Sequence, residues 1–311
     1  MATNDHEDEN QQHRAQNANE TGASDSATST PASSGNLLQR RTLLVAGAVA
    51  GVAVLTAVTW FAATPSDPPT EYAESDFGPV PDFAAIDHIP ARKAAFFGFL
   101  EPMIEEQNNW ILDNRAFLES LRTELMADAA LGTSDRQRAE ALATRYGIKL
   151  GDGITVAVID ELLHHGDVIP PSLVLAQAAK ESGWGMSRFA REGNNYFGEW
   201  CYTEGCGIVP GRRGPEQNHE VEAFETVEDG VDSYFRNLNR GGPYQQVRVI
   251  RAESREMGRP LSSAHLAGGL QKYSERGQIY VDEVRSLIAY NKLTAFDTEL
   301  VSVTAATGDS G

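Results

Sequence analysis

Apolar positions recur at helical spacing over most of the chain beyond residue 83. Ile111, Leu118, Leu121 and Leu125 share a row with Asn114 and predict one long amphipathic helix. "TVAVIDELLHHG" predicts a short helix ending at Gly166, and Pro170-Pro171 suit the first turn of the next, "PPSLVLAQAA", which is apolar enough to be buried. Thr226 predicts a helix cap, with Val231, Tyr234, Phe235 and Leu238 on one face. Further helices are expected near 243–257, 262–272 and 277–292, the last with Tyr280, Val284, Leu287 and Ile288 aligned. Between them, "EWCYTEGCGIVPGRRGPEQNHEVEAFET" is rich in glycine and turn residues and alternates around Val221 and Phe224, which predicts a small β-hairpin lobe. The expected class is mainly α, or α+β, in a domain over 83–293. Helices fill 83–150, and a core that carries the chemistry fills 151–293.

The first 82 residues follow other rules. Residues 1–36 carry six acids and one arginine among Asn, Gln, Ser, Thr and Ala, too polar to bury a core, so 1–42 is expected to be a disordered acidic tail. Residues 43–63, "LLVAGAVAGVAVLTAVTWFAA", are 21 uncharged positions, enough to span a bilayer as one transmembrane helix. Arg40-Arg41 precede the run, and no Lys or Arg follows until Arg92. The excess of positive charge on that side predicts a single-pass inner-membrane protein with a cytoplasmic N-terminus and its main domain periplasmic or extracellular. Residues 64–82 hold five prolines and read as an extended linker; 294–311 reads as a flexible tail.

Charge and cysteines narrow the partners. A net charge of −18 with no basic stripe excludes a nucleic-acid footprint. Cys201 and Cys206, the only cysteines, are expected to form one local disulfide in an exported domain. His164, His165 and His219 are too scattered for a metal site, and no cofactor is expected.

Chemistry concentrates in "QAAKESGWGMSRFAREGNNYFGEW". Glu181 ends an apolar helix, where the helix dipole and low-dielectric surroundings both disfavour a carboxylate. Either it turns to solvent, or its pKa is raised, as a proton donor to a glycosidic oxygen requires. Gly183 and Gly185 would leave room for a polymer to approach. Six aromatics lie within residues 184–202 in a chain that is 8% aromatic. Phe189 and Phe197 read as core; Trp184, Tyr196 and Trp200 read as surfaces for sugar rings, with Asn194-Asn195 as amide donors and acceptors.

The stretch "IPPSLVLAQAAKESGWGMSRFAREGNNYFGEWC", continued by "GCGIVP", "HEVEAFET", "SYFRNLNR" and "KYSERGQIYVDEVRSLIAYNKL", resembles the glucosaminidase domain of glycoside hydrolase family 73 over roughly residues 90–293. The resemblance implies a lysozyme-like helical fold with a small β lobe, and hydrolysis of N-acetylglucosaminyl bonds in peptidoglycan. It implies Glu181 as the acid and Tyr273, in "KYSERG", near the cleft. Tyr196 stands where the family has Leu in "NNLFG". The family's second carboxylate lies in the β lobe, where Glu216 and Glu220 are candidates; Glu220 is preferred because it leads into "VEAF". Either carboxylate would activate water with inversion, or the substrate's 2-acetamido group would serve as nucleophile. The competing class is a glycan-binding module without catalysis. A peptide or amide hydrolase lacks support, since no Cys–His pair, serine elbow or zinc cluster is present.

Overall fold

In the computed structural model the described residues are 77–297, apart from 212 and 215. The segments 1–42, 43–63 and 64–76, and the tail beyond 297, lie outside them. Among the described residues no helix is long and apolar enough to cross a membrane.

Nine α-helices and a small sheet form the domain among these residues. They are α1 (Ile89–Met126), α2 (Thr133–Tyr146), α3 (Val156–His165), α4 (Pro171–Ser182), α5 (Arg188–Gly193), β1 (Trp200–Cys201), β2 (Gly207–Ile208), β3 (Glu220–Glu222), α6 (Val227–Arg240), α7 (Gln245–Glu256), α8 (Ser263–Leu266) and α9 (Gln278–Tyr290). The long helix expected around Ile111–Leu125 is the second half of α1, which spans 38 residues. Thr226 caps α6 in a reciprocal box with Asp229, satisfying two end groups at once.

The centre is α4. Leu173, Val174, Leu175, Ala176, Ala178 and Ala179 are all at most 1% exposed, so the helix is apolar all round because it is covered all round. It packs against α1, α9 and the 3-10 turn Leu293–Asp297. Its first turn is fixed by Asp297, which accepts from the Ser172 amide (2.9 Å) and hydroxyl (2.7 Å). A second core joins α1, α2 and α3 through Leu118, Leu121, Leu142, Tyr146, Ile159 and Leu162. Packed residues also lie outside 83–293: Phe77 packs on the core, Asp82 caps the turn Phe83–Ala85, and a 3-10 turn spans Leu293–Asp297.

The lobe is more than the hairpin expected. Its sheet has three strands in the order β1-β3-β2, all pairs antiparallel, with β3 in the middle. Trp200 faces Val221 and Cys201 faces Glu220 on one side; Gly207 faces Glu222 and Ile208 faces Val221 on the other. The Cys201–Cys206 disulfide, with a Cα separation of 6.2 Å, joins the first outer strand to the start of the second. Between these strands Gly211, Glu216, Gln217 and Asn218 are exposed.

Candidate active site

Glu181 is the penultimate residue of α4, and the turn after it is unusual. Gly183, Trp184 and Gly185 are all left-handed, at φ 58°, 64° and 75°. The Ser182 hydroxyl organises the turn by donating to Ala178 O (2.6 Å) and accepting from the Gly185 amide (2.8 Å). A side chain at Gly185 would overlap the Phe83 ring. Gly185 thus serves the packing beneath the turn and not the approach of a polymer as expected, whereas the space beside Gly183 is open. The glycine that lies against Glu181 is Gly198, at φ 68°, where an added Cβ would sit 3.7 Å from Glu181 Oε2.

Burial is the main influence on Glu181 and raises its pKa; the Tyr280 hydroxyl beside it and Lys180 oppose the rise. Its Oε1 is buried and has no hydrogen bond of standard length among the described residues. A chain of donors leads to it. Tyr234 Oη donates to Gln177 Oε1 (2.6 Å), and Gln177 Nε2 donates to Tyr280 Oη (2.9 Å). With that oxygen accepting, the Tyr280 proton is free to turn towards Glu181. Lys180 is held aside by Glu283 at 2.5 Å, itself bound by Arg276. Tyr273 stacks on Tyr280 at 5.4 Å and donates to Phe197 O (2.8 Å), tying the 197–199 strip to α9.

The other expected ligands of a sugar separate into two groups. Trp200 is 45% exposed and its ring stacks on His219 at 4.2 Å; Tyr202 is exposed beside it. Trp184 is half-buried, edge-on to Phe96 and Phe97, with Lys93 over its face. Tyr196 is 1% exposed against Phe96 and presents no face to a ligand. Asn195 is equally buried: its amide donates to Glu199 O and Glu222 O and accepts from the Phe197 and Glu199 amides. Asn194 ends α5 with φ 51° and donates to Phe224 O and Glu225 O. Tyr196 and the two asparagines therefore build the lobe onto the core instead of facing a ligand. Phe197 is buried on Tyr234, as read.

Neither candidate second carboxylate looks poised as a base. Glu220 accepts from the Gly205 (3.2 Å) and Gly207 (2.8 Å) amides, which hold its carboxyl below the usual range. Glu216 is exposed on the loop. Among the described residues, the only acidic, Cys or His group close enough to suit a metal is Cys201, Cys206 and Glu220, and both sulfurs are in the disulfide.

The carboxyl that sequence reading missed is Glu199. It is 9% exposed, accepts from Asn237 Nδ2 at 2.8 Å, and burial pushes its pKa up to about 7, against the Ser233 and Asn237 side chains. The one available signal was its place in "FGEWC", an acid between two aromatics at a strand entrance. It borders a pocket of about 260 Å³ with Trp200, Glu222, Arg236, Asn237 and Arg240.

The family model described as mannosyl-glycoprotein endo-beta-N-acetylglucosaminidase matches residues 157–293, which run from α3 to the end of α9 and contain both Glu181 and Glu199. Protein bax of Escherichia coli (strain K12) is 32% identical over 202 residues, 65% of this chain and 70% of that protein. No solved structure matches. With an acid at the end of a buried helix, a three-stranded lobe beside it, and a match across both, the chain belongs to the glucosaminidase family and carries a Bax-like glucosaminidase domain.

Proposed function

We propose that this protein hydrolyses N-acetylglucosaminyl bonds in the glycan strands of peptidoglycan, with Glu181 as the proton donor. The observation that carries the reading is the environment of Glu181: a carboxyl at the end of a fully covered helix, its pKa raised by burial, with Gly198 leaving its Oε2 approachable. A carboxyl whose protonated form is favoured by burial can protonate the leaving glycosidic oxygen. The substrate's own 2-acetamido group is the nucleophile in this reading, because Glu220 is occupied by two lobe amides. The first product then keeps its anomeric configuration; inversion, read by NMR on fresh product, would assign a water-activating base instead.

Glu181→Gln preserves shape and removes the proton. Loss of general acid catalysis typically costs about 10²–10⁴-fold. Release of muropeptides from purified sacculi should fall by that much, whereas Glu192→Gln, on the exposed side of α5, should not change it. Near-parental digestion by Glu181→Gln would remove the assignment. A wild-type protein that binds sacculi and releases nothing would favour the non-catalytic glycan-binding reading, which the commitment of Glu220 also supports.

The domain is proposed to face the wall, anchored by residues 43–63 with the N-terminus in the cytoplasm. Protease added outside the inner membrane should then destroy the domain and spare a short N-terminal fragment. A full-length protein recovered from the cytosol contradicts this.

A further inference from the structure

The pocket beside Glu199 adds ionisable side chains to groups that suit a sugar, the Trp200 ring, the Ser233 hydroxyl and the Asn237 amide. Sugars present hydroxyls and neutral amides, which aromatic faces and uncharged donors suit. Beyond those, Arg236 borders the same space as two acidic residues, Glu199 and Glu222, while Arg240 lines it with its guanidinium lying against Gly147. Arg236 is oriented by Asp232 (3.2 Å) and the Ser233 hydroxyl (3.3 Å) yet stays 41% exposed. Glu199 is nine-tenths buried, and its Oε2 makes no hydrogen bond of standard length, with the Ser233 hydroxyl the group positioned to offer one. Glu222 also lines the pocket, and its carboxyl feels the positive charge of Arg236. A cation beside two acids matches a ligand that carries both carboxylate and ammonium groups.

Position relates the pocket to the acid. Gly198 touches Glu181, Glu199 lines the pocket and the exposed Trp200 forms its rim. Two residues of extended chain reach at most about 7 Å. A sugar resting near Trp200 would therefore place its substituents at the pocket while the neighbouring bond meets Glu181.

We infer that the pocket binds the ionised peptide stem of a peptidoglycan strand, a carboxylate on Arg236 and its ammonium or amide groups on Glu222 and Glu199. This rests on the proposed peptidoglycan reading. It adds that the enzyme selects strands by their peptides. Full-length protein is given strands that carry peptides and the same strands stripped by an amidase. The expected kcat/KM ratio is about ten or more in favour of peptide-bearing strands, the order of one charge-assisted hydrogen bond. Arg236→Gln and Glu222→Gln should each bring the ratio towards one through KM. Calorimetric titration with the free stem tripeptide L-alanyl-γ-D-glutamyl-meso-diaminopimelate reads binding without turnover, and each variant should weaken it about tenfold. Equal kcat/KM on both strands overturns the inference, as does tripeptide affinity that neither variant alters. If neither strand is cut, the hydrolase reading fails by itself, and the titration alone decides the pocket: a folded wild-type protein that does not take the tripeptide overturns it.

Discussion

Tyr280 reaches Glu181 with the one proton that the Tyr234–Gln177 chain leaves free. That hydroxyl favours the carboxylate form and works against burial. Tyr280→Phe should therefore raise the Glu181 pKa further. The alkaline limb of the pH–rate profile, where the acid loses its proton, should move to higher pH. The Gln177 amide loses its acceptor, a cost of about 1–3 kcal/mol that thermal melting should show. An unshifted limb would mean that Glu181 is not the group titrating. Glu199 gives a separate test at this scale. Its folded pKa, about 7, lies above the ordinary 4.5. The folded state holds the proton more tightly, so stability is full below about pH 4.5 and declines as pH rises towards 7. Glu199→Gln can still accept from Asn237 and cannot ionise. Its melting temperature should exceed that of the wild type at pH 8, with the gap closing at pH 4.5; a constant gap would contradict the raised pKa.

At the scale of elements, the lobe depends on links more than on its own sheet. Strands of two or three residues do not stand alone. They are held by the disulfide, by the buried Asn195 amide and by Gly205 and Gly207 on Glu220. Closing so short a loop is worth about 2 kcal/mol in the chain-entropy model. Cys201→Ser with Cys206→Ser should lower stability by that order and raise KM, leaving kcat close to the parent because Glu181 stands on α4. A collapse of kcat would show that the lobe also sets the acid. The helices were legible because periodicity and caps are local: Thr226, Gly166 and Pro170-Pro171 each marked an end that the fold keeps. The lobe was not, because its middle strand is the last in sequence and pairs with both others, a long-range fact. Glu181 stood out as a candidate by its awkward place at a helix end, where burial does raise its pKa. Tyr196 and Asn195 were misread because aromatic rings and amides suit a scaffold as well as a ligand, and only burial separates the two uses. Glu199 left one weak mark, since its partners lie on α6, far along the chain.

Across the whole molecule, the two cores meet at Asp167. It is 3% exposed and bonded by Arg255 and faced by Arg115 at 3.6 Å, while Arg251 binds its main-chain oxygen. Arg115 also donates to Leu163 O and Gly166 O, and Arg251 to His165 O, so the segment between α3 and α4 is pinned by cations from α1 and α7. Although burial alone would raise it, these arginines hold the Asp167 carboxyl at about 2, below the ordinary 3.8. That stability is present above pH 3.8 and is lost as pH falls towards 2. Asp167→Asn leaves buried guanidinium groups without their anion, and about 3–5 kcal/mol of destabilisation is expected from chemical denaturation at pH 7. A change below 1 kcal/mol would show that the main-chain oxygens suffice for the arginines.

The covered state of α4 has a consequence for how such an enzyme can be altered. Its acid is positioned by residues that cannot vary without unsettling the interior, whereas the loop between Ile208 and Glu220 is surface chain spanning two paired strands. On the proposed reading, that loop can change without disturbing the acid. Insertions and replacements in that loop offer a route to new specificities, and a library confined to it would explore them on an unchanged engine.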